Sequence, residues 1–333
     1  MSIIHLRDIV KEFRVPKRHP GKFGMLRALL APEYSVKRAV DTISLNIEEG
    51  EIVGYVGANG AGKSTTIKML TGILAPTSGT IEVAGLVPWR QRKRNALNIG
   101  VIFGQRSHLW WDLPLIESFK LIARIYGVPQ AKYRANLELF SSLLDIGDFI
   151  ETPVRQLSLG QRMRGDLAAA MLYEPHILYL DEPTVGLDVL AKERIRGFIE
   201  EINSSTNTTV LLTTHDLSDV ERLCPRIIVI DRGRIIYDGS VAELKRRYTK
   251  KRLLTVQLEG EETLLELADA TVVRRQGAKI WLEYDPDAVT VASLISAISQ
   301  RHQIVDLSVA EPELEPVIRK IYEKGLHEEF IVH

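Results

Sequence analysis

Lys63 and Ser64 close a glycine-spaced run, Gly57-Ala58-Asn59-Gly60-Ala61-Gly62-Lys63-Ser64-Thr65, that fits the pattern G-x-x-x-x-G-K-[ST]. The chemistry open to such a run is phosphate binding. Its glycines let backbone N–H groups turn inward with no Cβ in the way, and a following helix N-terminus adds positive partial charge. The Lys63 ammonium can reach the β- and γ-phosphates of a nucleoside triphosphate, and the Ser64 hydroxyl can hold Mg²⁺. A carboxylate pair, Asp181-Glu182, comes straight after four apolar residues, Ile177-Leu178-Tyr179-Leu180. A buried strand delivers such a pair beside a phosphate loop. Asp181 would hold Mg²⁺ directly or through water, and Glu182, pointing elsewhere, can polarise an attacking water. A third stretch, Leu157-Ser158-Leu159-Gly160-Gln161-Arg162, opens a helix. Ser158 is a natural N-cap there, and Gly160 permits close approach of a phosphate.

Those groups need elements to hold them. Ile52-Val53-Gly54-Tyr55-Val56 reads as a buried strand entering the glycine loop, and Thr66-Ile67-Lys68-Met69-Leu70 as a helix leaving it. Thr209–Thr214 is a further buried strand, ending at His215-Asp216. Val101-Ile102-Phe103 is a short strand ending at Gly104-Gln105. Apolar strands alternating with helices predict a largely parallel sheet with covered faces. Residues 3–10 and 43–47 read as strands, and Ile227–Ile230 and Arg234–Tyr237 flank the hairpin turn Asp231-Arg232-Gly233. Between residues 115 and 173 helical periodicity dominates, stopping at Glu174-Pro175.

Bulk properties narrow the class. The 333 residues allow one large or two ordinary domains. Formal net charge is zero, so no global field calls for nucleic acid or an anionic membrane. No uncharged apolar run reaches membrane-spanning length, and the N-terminus meets charge at once with no secretory apolar core. The single cysteine, Cys224, excludes an intrachain disulfide and reads as a small core residue. These features predict a protein of a reducing cytosol.

Two segments stand apart. Pro16 to Arg38 is basic, with Lys17, Arg18, Lys22, Arg27, Lys37 and Arg38 against Glu33, and carries Phe23, Met25, Leu26, Leu29 and Leu30 at roughly helical spacing. It reads as a solvated insertion or as an amphipathic helix facing a membrane or membrane partner. From Lys245 to Arg252 a basic run reads as a linker or helix end. Beyond it the order is strand 254–258, helix 262–268, strands 271–274 and 279–284, helix 291–301, strand 304–309, helix 313–322. That predicts a small ferredoxin-like α+β module for interaction or regulation.

Residues 157–162 resemble the LSGGQ signature of ATP-binding cassette (ABC) ATPases, with Leu159 where glycine is usual. Other motifs of that family follow in order over residues 1–240. The resemblance implies that Phe13 stacks on adenine and that Gln105 touches Mg²⁺ and senses a membrane partner. It implies that Val185-Gly186-Leu187-Asp188 is the D-loop and that His215 contacts the γ-phosphate. The implied fold is a P-loop NTPase cassette over 1–240, with insertion 16–38 and a helical subdomain at about 106–165. A basic linker at 241–252 and an accessory α+β domain at 253–333 complete the expected organisation.

In the family two cassettes pack head to tail, so the resemblance implies ATP and Mg²⁺ as ligands and a second ATPase subunit, with a homodimer favoured over a pair with a paralogue. Glu182, His215 and Gln105 would carry catalysis. Gly57 to Thr65, Phe13, Ser158, Gly160, Gln161 and Asp188 would bind nucleotide, and Ser64, Gln105 and Asp181 the metal. Because every motif occurs once, with no long coiled coil and no zinc cysteines, a transporter subunit is favoured over soluble ribosome- or DNA-acting ABC ATPases. Val87-Pro88-Trp89, Phe103-Gly104-Gln105 and Leu109-Trp110-Trp111-Asp112-Leu113-Pro114 resemble drug exporter ATPases that work with ABC-2-type permeases at the cytoplasmic face of the membrane. Trp110 and Trp111 are candidates for the permease contact or a paired core. The alternative is a glycan exporter ATPase, whose C-terminal domain is usually a β-sandwich. An importer is a further alternative.

Overall fold

The structure, a computed structural model of the chain, describes residues 2–16, 34–104, 106–214, 216–248, 251–260, 267, 269–310 and 314–324. Gln105, His215, the centre of the expected insertion (17–33) and most of the expected helix 262–268 lie outside the described residues. The chain divides into two compact units, one built on Met1–Asp238 and one on Gly239–His327.

The first unit holds two sheets among the described residues. Strands β1 (Ser2–Pro16), β2 (Tyr34–Glu48) and β4 (Ser78–Val83) form an antiparallel sheet in the order β2-β1-β4. Strand β3 (Ile52–Gly57) belongs to a six-stranded sheet with β5 (Ile99–Phe103), β6 (Ile177–Asp181), β7 (Thr209–Thr214), β8 (Arg226–Asp231) and β9 (Arg234–Ser240). Its order is β5-β6-β7-β3-β8-β9. The pairs from β5 to β8 are parallel, and their middle residues are buried on both faces, which is why Leu-Tyr-Leu and Val-Leu-Leu runs sit here without alternation.

Helix α1 (Lys63–Leu70) leaves β3, and α2 (Arg92–Asn98) precedes β5. The helical region follows with α3 (Leu115–Ile125), α4 (Gln130–Leu144) and α5 (Leu159–Met171). Helix α6 (Val189–Thr206) and α7 (Leu217–Leu223) complete the unit. Glu174 closes the turn after α5 at φ 50°, before Pro175. A core of Val53, Tyr55, Ile67, Met69, Tyr179, Leu211 and Ile228 joins the parallel sheet to α1 and to the inner side of β1 and β2. Truncating any of these aliphatic side chains to alanine costs about 2–5 kcal/mol.

The first two strands run further than their apolar alternation predicts. Their pairing continues through Phe13↔Lys37 to Pro16↔Tyr34, so both ends of the expected insertion are strand. Val15, Tyr34 and Val36 supply β-branched and aromatic residues for this arm.

In the second unit, residues 241–248 form helix α8 (Val241–Tyr248), so the basic run is a helix end, one of its two readings, and residues 241–248 are not the expected linker. Val241 and Leu244 are buried on one face, while Lys245, Arg246 and Arg247 fill the last turn, where the helix dipole favours cations. Strands β10 (Arg252–Leu258), β11 (Ala270–Gln276), β12 (Lys279–Tyr284) and β13 (Ile304–Ala310) form an antiparallel sheet in the order β11-β12-β10-β13. With α9 (Val291–Ser299) between β12 and β13, this is the strand order of the ferredoxin-like fold. Helix α10 (Leu314–Lys324) follows. Leu267, expected inside a helix, forms an isolated bridge with Ala270. Leu254, Val256, Ile280, Leu282, Leu294 and Ile298 make this unit's own core.

Candidate functional site

The parallel register brings the candidate groups of the core to one edge. Phe103 pairs with Asp181, Asp181 with Thr213, and Val56 with Thr214, so the carboxyl ends of β5, β6, β7 and β3 finish together. Ligands of open α/β sheets bind at such an edge. The loop Gly57–Gly62 leaves β3 there and delivers Lys63 and Ser64 in the first turn of α1.

The loop is strapped from two sides. The Ala61 carbonyl accepts from Gly233 N at 2.9 Å, and Gly233 O accepts from Asp41 N at 2.8 Å, tying it to the β8–β9 turn and to β2. Gly62 sits at φ +116°, and a Cβ there would meet the Ala39 carbonyl oxygen at 2.6 Å. Only glycine satisfies both that backbone and that contact. The Lys63 ammonium donates to the carbonyls of Gly57 (2.5 Å) and Ala58 (3.3 Å). Burial pulls its pKa below the usual lysine value, and the charges of Glu182 and Asp181 oppose that shift.

Ser64 Oγ donates to Asp181 Oδ2 at 3.0 Å, and the other carboxylate oxygen accepts from Thr213 Oγ1. The hydroxyl and carboxylate assigned to Mg²⁺ are therefore adjacent, an all-oxygen set that suits a hard divalent cation. Thr213 falls in the predicted strand Thr209–Thr214 but is not a candidate site residue on sequence grounds. Its only signal was a threonine at a strand end, and that strand's place beside β6 is not written locally. Glu182 takes φ 58°, unusual for a side chain of this size, with its N–H donating to Thr213 O at 2.8 Å. This left-handed residue ends strand β6, which closes at Asp181.

Phe13 is half-exposed on the β1–β2 arm, directly opposite Lys37 and with the Lys11 ammonium 5.3 Å from its ring centroid. The same β2 strand brings Ala39 and Val40 against Gly62, so this arm flanks the phosphate loop.

Of the other described candidates, Ser158, Gly160 and Gln161 lie at the N-terminus of α5 and Asp188 beside them at the start of α6. Ser158 Oγ accepts from Gln161 N (3.2 Å), and Gln161 Oε1 accepts from Ser158 N (2.9 Å), a reciprocal capping box. A Cβ on Gly160 would lie 3.3 Å from Ala191 Cβ, in the first turn of α6. Asp188 caps α6 by accepting from Ala191 N at 2.8 Å. The 158–161 loop and the 185–188 loop are thus neighbours within one chain. Trp110 and Trp111 are 38% and 54% exposed, so they do not form a paired core, and the Arg162 guanidinium lies 5.6 Å from the Trp111 ring.

The sequence profile of the ABC transporter family matches residues 40–185. The daunorubicin resistance ATP-binding protein DrrA3 of Streptomyces coeruleorubidus is 36% identical over 244 residues, 72% of this chain and 77% of that protein. The methionine import ATP-binding protein MetN 2 of Enterococcus faecalis is 30% identical over 324 residues, 95% of this chain and 88% of that protein. Among solved structures, a dimeric bacterial ABC transporter cassette superposes with a TM-score of 0.59 at 25% identity, covering 72% of this chain and 98% of that one.

Proposed function

The chain belongs to the ABC transporter ATP-binding family, an ATP hydrolase, and from that premise we propose that it drives export of a drug-like amphipathic substrate through ABC-2-type permease subunits. Among the described residues no helix is long and apolar enough to cross a membrane. In this reading the transport path is supplied by partner subunits, with the chain bound at their cytoplasmic face. The observation that carries the export reading is the stretch Leu109–Pro114 with its exposed Trp110 and Trp111, together with similarity to a daunorubicin resistance protein. A half-exposed tryptophan pair is the kind of anchor that fills a pocket on a partner.

In the proposed mechanism, Lys63 and the loop N–H groups bind the β- and γ-phosphates, and Phe13 stacks on adenine. Ser64 and Asp181, with Gln105, would hold Mg²⁺, which neutralises developing charge on the phosphates when bound. Glu182 takes the proton of the attacking water, and His215 contacts the γ-phosphate. Ser158, Gly160 and Gln161 of a second, identical cassette cover the nucleotide, so that binding joins two subunits and hydrolysis releases them.

A second reading, import, is favoured by one observation: the similarity to the methionine import protein runs through the C-terminal unit as well as the first. The strand order of that unit speaks against the glycan-exporter alternative, which expects a β-sandwich. Inverted membrane vesicles carrying this chain with its co-purifying permease separate the readings. ATP-dependent accumulation of a fluorescent amphipathic drug is the expected result. ATP-driven loss of a preloaded solute, with no drug accumulation, overturns export in favour of import.

A further inference from the structure

Asp166 takes no part in the site as described, yet it is a carboxylate on the buried face of α5, 9% exposed. Its Oδ1 accepts from Ser107 Oγ at 2.9 Å and from His108 N at 3.0 Å. Ser107 Oγ in turn accepts from Leu109 N at 3.1 Å. The neighbouring Gly165 lets the segment lie close, since a Cβ there would come within 2.8 Å of Leu115 Cδ1 and 3.2 Å of Leu109 Cδ1. At the other end of the same segment, Gly104 N donates to the Asp181 carbonyl at 2.7 Å. The chain crossing from the parallel sheet to the helical region is therefore fastened twice, to the strand of Asp181 and to the helix that Ser158 caps.

We propose that Asp166 is a positioning residue, which fixes the crossing segment Ser107–Leu109 on helix α5 and so sets the Ser158 cap relative to the Asp181 strand. Helix packing alone does not require a carboxylate here. Leu167, Ala168 and Ala169 next to it pack as apolar residues. Burial makes the carboxylate costly, pushing its pKa up to about 6, and the His108 N–H, the Ser107 hydroxyl and the Arg162 charge oppose that shift. Removing it would leave a buried N–H and a hydroxyl without their acceptor.

The inference rests on the proposed roles of Asp181 and residues 158–161. Its test uses the purified full chain with Mg-ATP. Asp166→Ala should lower kcat about tenfold while KM and ATP affinity stay within about twofold, because the segment positions the site without touching nucleotide. Asp166→Asn keeps Oδ1 as an acceptor and should restore kcat to within about twofold of wild type. Ser107→Ala should fall between them and add nothing in the Asp166→Ala background. Melting temperatures are recorded for each variant. A merely structural contact lowers Tm and leaves kcat per folded chain unchanged, and that result overturns the inference. So does an Asn variant as slow as the Ala variant. Should Asp166→Ala not fold, an unchanged kcat in Ser107→Ala overturns it instead. A Lys63→Ala chain that hydrolyses ATP at the wild-type rate overturns the underlying reading and the inference with it.

Discussion

The phosphate loop and the 158–161 cap are built in opposite ways. The loop is finished inside the chain: Lys63 is 7% exposed, Gly62 is pinned by Ala39, and Ser64 is bonded to Asp181. The cap is finished only as a helix end. Ser158 and Gln161 satisfy each other and remain at the surface, with the N-terminus of α5 behind them. One half is a buried cradle whose geometry the core dictates. The other is a surface with positive partial charge, and what it faces is a matter for assembly. Binding should therefore depend on the loop and turnover on both.

The strongest break in that comparison is Glu182→Gln. Loss of a general base costs about 10²–10⁴ in rate, so phosphate release should nearly stop while ATP binding persists and dimers accumulate on size exclusion. Wild-type turnover would remove Glu182 from the base role. Lys63→Ala comes next, because a charge-assisted bond to phosphate is lost. ATP affinity should fall by roughly ten- to a hundredfold, measured by equilibrium nucleotide binding. Ser158→Ala sharpens the contrast. It should cost about 1 kcal/mol of stability as a lost cap and slow turnover, yet leave ATP affinity of the dilute chain unchanged. Weakened binding at low protein concentration would mean that cap and cradle are not separate halves.

A smaller effect follows from pH. The Asp166 carboxyl ionises at about 6 in the folded chain against an ordinary 3.8. As pH rises from about 4, the unfolded chain ionises first, so this group favours the folded state at low pH and loses that contribution by about pH 6. The melting temperature of Asp166→Asn relative to wild type should therefore climb between those pH values and then level off. The free-energy change is at most about 3 kcal/mol. A flat difference across that range would contradict the shifted carboxyl.

The fold class was legible because its signals are local. Apolar runs without alternation mark buried parallel strands, and the β-α-β-β-α-β order marks the C-terminal sheet. The candidate residues could likewise be picked out, since each motif is contiguous. Their partners could not. Thr213 meets Asp181 only because β7 lies beside β6, and Asp166 meets Ser107 across 59 positions of chain. The charge of helix α8 leaves its basic run compatible with a linker and with a helix end, and burial of Val241 and Leu244 on one face decides for the helix. The outer part of the β1–β2 arm is exposed on both faces and carries no alternation that would mark it as strand.

Glu182 sits at φ 58°, where a side chain of its kind costs roughly 1 kcal/mol over glycine. With Glu182 in its proposed role as the base, stability and activity pull apart at this position. Glu182→Gly relieves that strain but frees the unfolded chain by about 0.4–1 kcal/mol and removes the attraction to the Lys63 ammonium, so its melting temperature should stay close to wild type while ATP hydrolysis is lost. A thermal screen alone would therefore pass the inactive glycine chain, and directed evolution of this protein needs a turnover screen beside it.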